Sequence, residues 1–546
     1  MSNSNTLFEE LLKKRGLTDA KARELFLEPD YDGANHDPWL LPDMRPAVDR
    51  LKKAQEKGER IVIYGDYDVD GLTATALLKD AFESFGINVS TFIPNRFIEG
   101  YGLSEKAIEQ LAGDGYKLVV TVDCGSLSDK EIKKANSLKM DVIVTDHHTV
   151  AEVMPPAVAV INPKRLDHVY PFRDLAGVGV AFKLVRAMQS EMRGLEPGQE
   201  KWLLDLVALG TVCDVVGLVD ENRANVFWGI QVLHKSRRVG LKALAEVTGL
   251  QLDKLNSGRL GFIIGPHLNA SGRLKTAMLS LELLTTRDMR HAEEVANELH
   301  RSNRERQTMQ KKIYKEATAQ AADYEKDPVL LLSHSDWSHG IVGIVAANIL
   351  EKTKKPTFVL QELGETAKGS ARSFGDFSAV DAINSTMSLL EKGGGHKYAA
   401  GVTLKVGNIP AFRKALNDYY HSLKLHDQEQ YLEPVIDLSC PTFDGLDMSF
   451  MEQLAHLEPF GHGNPQPIFK IDGVTIRSLR RVGSDGQHLK VSLLDSLGQP
   501  FDGIGFSMGE SKARENDSIS AVVHLMINEW MGRRKVEVQL LEIMPA

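Results

Sequence analysis

Apolar positions along this chain fall into short unbroken runs separated by stretches of helical periodicity. Ile61-Val62-Ile63-Tyr64 precedes a loop and an apolar helix expected around Leu72 to Phe85. Leu118 to Val122 leads into a charged helix near Ser128 to Lys139, and Val142 to Thr145 and Val158 to Ile161 follow. Runs that are apolar throughout, with helices between them, predict buried strands of a parallel, doubly wound α/β sheet.

The pattern then changes twice. Between Gly272 and Pro328 there is no Gly or Pro, and residues 287–326 interleave both charge signs. They predict one long connecting helix, about 58 Å if 287–325 are helical throughout, solvated on its surface and rigid between two domains. Val329-Leu330-Leu331-Leu332 opens a second α/β domain over 327–428. From about Tyr431 the pattern is all-β with turns, and five or so short strands within 429–546 suit a small closed barrel. Residues 1–45 are polar and read as an extension lying on the first domain, which spans 46–286. Internal repeats and low-complexity tracts are absent.

Composition adds less. The 546 residues carry 74 Asp plus Glu against 65 Lys plus Arg, a net charge of −9 that by itself argues against a nucleic-acid partner. Hydrophobic residues at 42% exclude a mainly disordered chain. Cys124, Cys213 and Cys440 fit neither a disulfide framework nor a CxxC zinc site, so a reducing compartment is expected. The N-terminus lacks the pattern of a secretory signal, and the longest apolar stretch, Gly340 to Leu350, is too short for a bilayer. These features predict a cytoplasmic protein without a membrane partner.

Chemistry enters with Gly65-Asp66-Tyr67-Asp68-Val69-Asp70-Gly71, between a strand and a helix. Carboxylates at alternate positions repel one another unless cations lie among them. The spacing is not that of an EF-hand, because position twelve counted from Asp66 is Leu77. Taken alone, a solvated acidic turn explains the motif equally well. The next strands also end in potential ligands: Asp123 after Val122, and Asp146-His147-His148 after Thr145. Asp214 closes the apolar run Leu206 to Cys213. In an open parallel sheet such strand ends line one crevice. Carboxylates and imidazoles without Cys favour Mn2+ or Mg2+, with donors enough for two ions. Two such ions suit metal-assisted hydrolysis of a phosphoester.

GDYDVDG, VDCG, TDHH and ALGTVCDVV are similar to the ordered motifs of the DHH phosphoesterase superfamily. Gly265 to Leu274 (GPHLNASGRL) resembles the motif of its single-strand exonuclease branch. Ser338 to Ala346, Gly369 to Ser373 and Gly393 to His396 resemble the DHH-associated, DHHA1-type substrate domain, and the terminal segment resembles an OB-like domain. The resemblance covers roughly residues 50–405, with the barrel beyond. It implies metal coordination by Asp68, Asp70, Asp123, His147 and Asp214, with Asp123 between two ions and Asp66 either a ligand or just behind one. It further implies that Asp146 orients an imidazole, that His148 lies nearer the reacting phosphate, and that His267 and Arg273 face the transferred phosphoryl group. Ser370 and Arg372 would take a terminal phosphate with Arg96 as a third member. Asn269, Ser271, Gly394, Gly395 and His396 would line the strand path, and Ala371, where the family often has Gly, would narrow it.

The activity implied is that of a metal-dependent, single-strand-specific DNA exonuclease working 5′ to 3′ in recombination and repair. Its implied partners are single-stranded DNA, a single-strand binding protein and a RecQ-type helicase, with the chain a monomer. Two other readings stand beside it. Short oligoribonucleotides or a cyclic dinucleotide would need neither the barrel nor the long connector, and a non-catalytic scaffold should have lost ligands that this chain keeps. Gly177-Val178-Gly179 lacks the third Gly of a dinucleotide loop and reads as helix-entry packing. Arg477, Arg480, Arg481 and Arg533-Arg534-Lys535 could track a phosphate backbone from the barrel.

Overall fold

The computed structural model describes residues 3–97, 100, 102–426 and 428–545. Its first sheet comprises β1 (Ile61–Tyr64), β2 (Val89–Phe92), β3 (Leu118–Val122), β4 (Asp141–Thr145) and β5 (Ala159–Ile161). All pair in parallel, in the order β2-β1-β3-β4-β5. The order reverses between β1 and β3, which opens a crevice beyond their carboxyl ends. β1, β3 and β5 are buried along their whole length and β4 all but its first residue, as their unbroken apolar runs require. β2, with the sequence VSTF, is the half-exposed edge, and its mixed pattern gave no sign of a strand.

The connecting helix runs over Met289–Ala322, capped by the Asp288 carboxylate. Its first half buries Ala292, Val295, Ala296 and Leu299 in the core of the first domain. Its second half packs Ile313, Ala317 and Ala321 against Trp337 and Ile341 of the second domain. The helix is thus a wall shared by two cores, with its mixed charges on the outer face, and not a solvated spacer.

The second sheet holds β6 (Leu330–His334), β7 (Thr357–Leu363), β8 (Thr366–Arg372), β9 (Leu390–Gly395) and β10 (Ala399–Lys405), ordered β6-β7-β8-β10-β9. The third holds β11 (Leu438–Cys440), β12 (Phe469–Val482), β13 (His488–Leu494), β14 (Pro500–Gly505), β15 (Ser518–Trp530) and β16 (Arg533–Pro545). β12 pairs with both β13 and β15, which closes the barrel. Two features correct the sequence reading here. β12, β15 and β16 are 13 or 14 residues long, not short, and a helix, Met448–Ala455, lies between β11 and β12. The N-terminal extension also differs from expectation, because the helix Asn3–Lys14 sends Phe8, Leu11 and Leu12 into the barrel core. Only its later part, through Tyr31 and Leu41, joins the first domain. No described helix is long and apolar enough to cross a membrane.

Candidate active site

Each acidic cluster sits where an element ends. Asp68 caps the helix Val69–Ser84, its carboxylate accepting from the Gly71 amide at 3.1 Å. Gly71 is needed for that turn, since a Cβ there would stand 2.6 Å from the Asp66 carbonyl oxygen. Asp70, in the first helical turn, accepts from the amides of Gly177 at 2.6 Å and Val178 at 2.8 Å. Those amides begin the helix Gly177–Glu191, whose positive end favours a carboxylate. Asp123 leaves β3 in the left-handed region at φ 61°, local strain of the kind that gathers at functional sites.

At the end of β4, Asp146 accepts from the amides of Ser126 (2.9 Å), His147 (2.7 Å) and His148 (3.1 Å), and stands 2.9 Å from Nδ1 of His148. Burial would raise its carboxyl, but the hydrogen bond from His148 and the charge of that imidazole hold it well below the usual range. Nε2 of His147 lies 3.1 Å from Asp123, 3.6 Å from Asp214 and 3.8 Å from Asp70. Asp214 follows the helix Leu204–Cys213.

Three donor sets result, each with its ligand atoms within 4.8 Å of one another: Asp66, Asp68 and Asp123; Asp123, His147 and His148; Asp70, His147 and Asp214. Asp123 and His147 are each shared by two sets. Without a cation the arrangement is electrostatically costly. Burial, then neighbouring carboxylates, pushes Asp66 and Asp123 up, Asp70 to about 7 and Asp214 to about 9. Burial and His148 take His147 down to about 3, so it is a neutral imidazole, the form that ligates metal. Oδ1 of Asp66 is buried without a hydrogen-bond partner among the described residues. Hard oxygen donors with imidazole fit Mn2+ or Mg2+. Cys124 and Cys213 beside the site are held as thiols by burial, which leaves them no nucleophilic role.

The facing wall is cationic. Ser370 and Arg372 lie on β8 beside the start of the helix Val342–Thr353, where a Cβ on Gly343 would be 3.2 Å from both Ser370 Oγ and Arg372 Nη2. Arg96 stacks 4.2 Å over the ring of Tyr67. Arg273 donates to the carbonyl of Gly340 at 3.1 Å, and burial together with Arg96, Arg306 and Arg372 lowers it to about 10. Among the described residues none of the four guanidiniums, of Arg96, Arg273, Arg306 and Arg372, forms a salt bridge, and burial alone lowers the basicity of Arg306 and Arg372. His396 follows β9, its amide donating to Ala399 at 2.8 Å; after burial, His148 and Lys164 are what hold its imidazole below the ordinary value. The second domain therefore faces the end of β4 across the cleft. Gly394 is open on its Cβ side, and Gly395 has φ +145°, a conformation that side chains disfavour.

The structure turns two expected site residues elsewhere: Ser271, expected on the strand path, and His267, expected to face the transferred phosphoryl group. Ser271 is 1% exposed and its hydroxyl meets Ser280 Oγ at 3.2 Å, inside a helix contact. His267 stacks on His300 and places Nδ1 2.7 Å from the Ile263 carbonyl and Nε2 3.2 Å from His300. Its ring is turned to the long helix, not to the metal cluster, and burial lowers its basicity. Asn269 and Arg273, on another face of the same helix, line an open pocket. Three contributors went unread in the sequence: Gly177, which holds Asp70; Lys164, whose charge acts on His147, Asp214 and His396; and Arg306 of the long helix. The Gly177-Val178-Gly179 turn was the one visible signal.

Fold and site together define a phosphoesterase of the DHH class: residues 60–211 match the DHH family, N-terminal domain, and 326–422 match the DHHA1 domain. Residues 436–542 match the RecJ OB domain. The chain belongs to the RecJ family. It is 36% identical to the single-stranded-DNA-specific exonuclease RecJ of Bacillus subtilis (strain 168), over 98% of this chain and 67% of that protein. It is 34% identical to the Escherichia coli (strain K12) protein of the same name, over 99% and 96%. The crystal structure of RecJ from Thermus thermophilus in complex with Mn2+ is similar with a TM-score of 0.83 at 31% identity, over 99% of this chain and 76% of that one. Its Mg2+ complex gives 0.77 at 30%, over 99% and 74%.

Proposed function

We propose that this chain is a metal-dependent, single-stranded-DNA-specific exonuclease that hydrolyses phosphodiester bonds from the 5′ end toward the 3′ end, using two divalent ions, Mn2+ or Mg2+. The observation that carries the reading is the pair of shared donors, Asp123 and His147, linking three sets of possible metal ligands at the ends of the sheet strands. Asp68, Asp70, Asp123, His147 and Asp214 would hold the ions, with Asp66 a further ligand or a support behind them. When bound, the ions activate water and neutralise charge on the phosphoryl oxygens. Asp146 fixes the His148 ring through Nδ1, so that its other nitrogen serves the phosphate. Arg273 stabilises charge developing on that phosphate. Ser370, Arg372 and Arg96 take the 5′-terminal phosphate, where the planar fork of Arg suits bidentate contact. Gly394, Gly395 and His396 let the strand pass close to the backbone.

The family relationship also supports a role in recombination and repair in the cytoplasm, with a single-strand binding protein and a RecQ-type helicase delivering the strand to a monomeric enzyme. The test is digestion of 5′-labelled and 3′-labelled single strands and of duplex, with Mn2+ or Mg2+, against Asp123→Ala. Wild type should release the 5′ label first and spare duplex, and the variant should be inactive. Intact strands alongside cleaved dinucleotides would transfer the reading to the small-substrate alternative.

A further inference from the structure

Beside the candidate metal cluster a pocket of about 370 Å³ opens between the loop after Asp214, the helical segment from Ser257 to Arg273, Arg306 of the long helix, Ile344 of the second domain, and Phe460 to His462. Val212, Val216, Leu218 and Phe460 give it apolar walls. Phe262 stands at it 87% exposed, carried on a π-helical turn, Leu260–Ile264. Such a turn inside a helix commonly marks a functional position.

Arg306 reaches the pocket from the middle of the long helix and is only 8% exposed. Its Nε and Nη2 donate to Asn303 Oδ1 at 3.1 and 2.9 Å, and its Nη1 to Gln310 Oε1 at 2.9 Å. Both acceptors are neutral amides of the same helix, and Arg306 forms no salt bridge among the described residues. A buried charge without a counter-charge is costly unless a ligand supplies one. Burial alone lowers its basicity, and no neighbouring carboxylate restores it. An inorganic anion would satisfy the guanidinium but would leave the apolar walls and the exposed aromatic ring without a role.

We propose that this pocket binds one nucleotide of the substrate strand adjacent to the bond being cut, with its base on Phe262 and its phosphate on Arg306. The proposal rests on the exonuclease reading above. Base stacking on an aromatic ring tolerates any sequence, as a non-specific exonuclease needs.

The test compares wild type with Arg306→Met, Arg306→Lys and Phe262→Ala. Binding of a 3′-fluorescein oligothymidylate is followed by anisotropy in EDTA, and KM and kcat are measured with Mn2+, both across a KCl series. Arg306→Met should reduce the slope of log affinity against log salt by about 0.7, the signature of one lost single-strand phosphate contact, and Arg306→Lys should restore it. Phe262→Ala should weaken binding about tenfold with the slope unchanged. An unchanged slope in Arg306→Met, with only a lower melting temperature, would make Arg306 a structural residue and overturn the proposal. A changed slope with no effect of Phe262→Ala would leave an anion site and overturn the nucleotide assignment. Wild type that leaves strands intact with Mn2+ would instead sink the exonuclease reading itself.

Discussion

Asp70 is held in place by the backbone of Gly177, whose amide donates to its Oδ2 at 2.6 Å while the amide of Val178 reaches Oδ1 at 2.8 Å. The two residues are 107 positions apart, and the contact fixes one carboxylate of the metal cluster at a helix N-terminus. A Cβ on Gly177 would lie 2.8 Å from the Asp123 Cβ and 2.9 Å from Asp70 Oδ2. Gly177→Ala should therefore displace both ligands and weaken Mn2+ binding by about 10- to 100-fold, as loss of ligand-orienting contacts does. Calorimetric titration of Mn2+ checks this, with thermal unfolding in EDTA as the control for folding. Wild-type affinity in the variant would show that the helix terminus does not position the cluster.

Metal binding should compete with protons. Without metal, burial and then neighbouring carboxylates push Asp70 up to about 7 and Asp214 up to about 9, against a reference of 3.8. Between the reference and those values the folded state carries protons that the unfolded chain has lost. The sign then follows: stability without metal falls as pH rises through that window. A divalent ion displaces the protons, so its stabilisation should grow in the same direction. Thermal melts in EDTA and in Mn2+ from about pH 6 to about pH 9 test this. A metal-induced shift that stays flat over that range would contradict it.

The parts legible in the sequence were those whose physics is local. β1, β3, β4 and β5 are buried, so their apolar runs announced them, whereas the edge strand β2 had no need of one. The candidate metal donors stood out because Asp and His gathered at the ends of strands and helices have few other uses in a crevice. The contacts of His267 and Ser271 have a helical explanation. The helix Gly265–Leu274 places those two residues four apart on one face, toward Ser280 and His300, and places Asn269 and Arg273, also four apart, on another. Treating the motif as a list of polar residues, without its period, merged the two faces. Lys164 and Arg306 could not be read at all, and Gly177 only as helix-entry packing, because their roles at the site depend on distant segments meeting.

Arg372 offers a direct test of end recognition. It lies on β8 with Ser370, and its Nη1 donates to the adjacent Ala371 carbonyl at 2.8 Å. Arg372→Ala should raise KM for 5′-phosphorylated strands about tenfold or more, from loss of a charge-assisted contact worth ~1.5–3 kcal/mol. It should change kcat little. Strands with a 5′-hydroxyl should then be cleaved with the same KM as phosphorylated ones by the variant. Arg372→Lys should recover only part of the loss, since a point charge lacks the planar fork. Steady-state kinetics on matched substrates decide, and a persistent preference for phosphate in Arg372→Ala would place end recognition elsewhere.

Arg223 joins three segments that are remote in sequence. It is 3% exposed on the helix Asp220–His234, and its guanidinium donates to the carbonyls of Phe26, His456, Leu457 and Glu458 at 2.9 to 3.3 Å. It also stacks 3.8 Å over the ring of Phe26. The segment so gripped leads into the barrel and touches the catalytic domain again, where Leu218 donates its amide to His462 at 2.7 Å and Ser257 its hydroxyl to Phe460 at 2.6 Å. Leu218 is four residues beyond Asp214, so the entry to the barrel and the metal cluster share one loop. Arg223→Ala would strand several buried carbonyls and should cost about 3 kcal/mol or more. Arg223→Lys should keep part of the grip. Limited proteolysis should then cut Arg223→Ala between residues 456 and 465 under conditions that spare wild type. Loosening the barrel should slow degradation of long strands far more than cleavage of the shortest ones, which need only the site between the first two domains. Equal losses on both lengths would mean that Arg223 supports the catalytic domain alone.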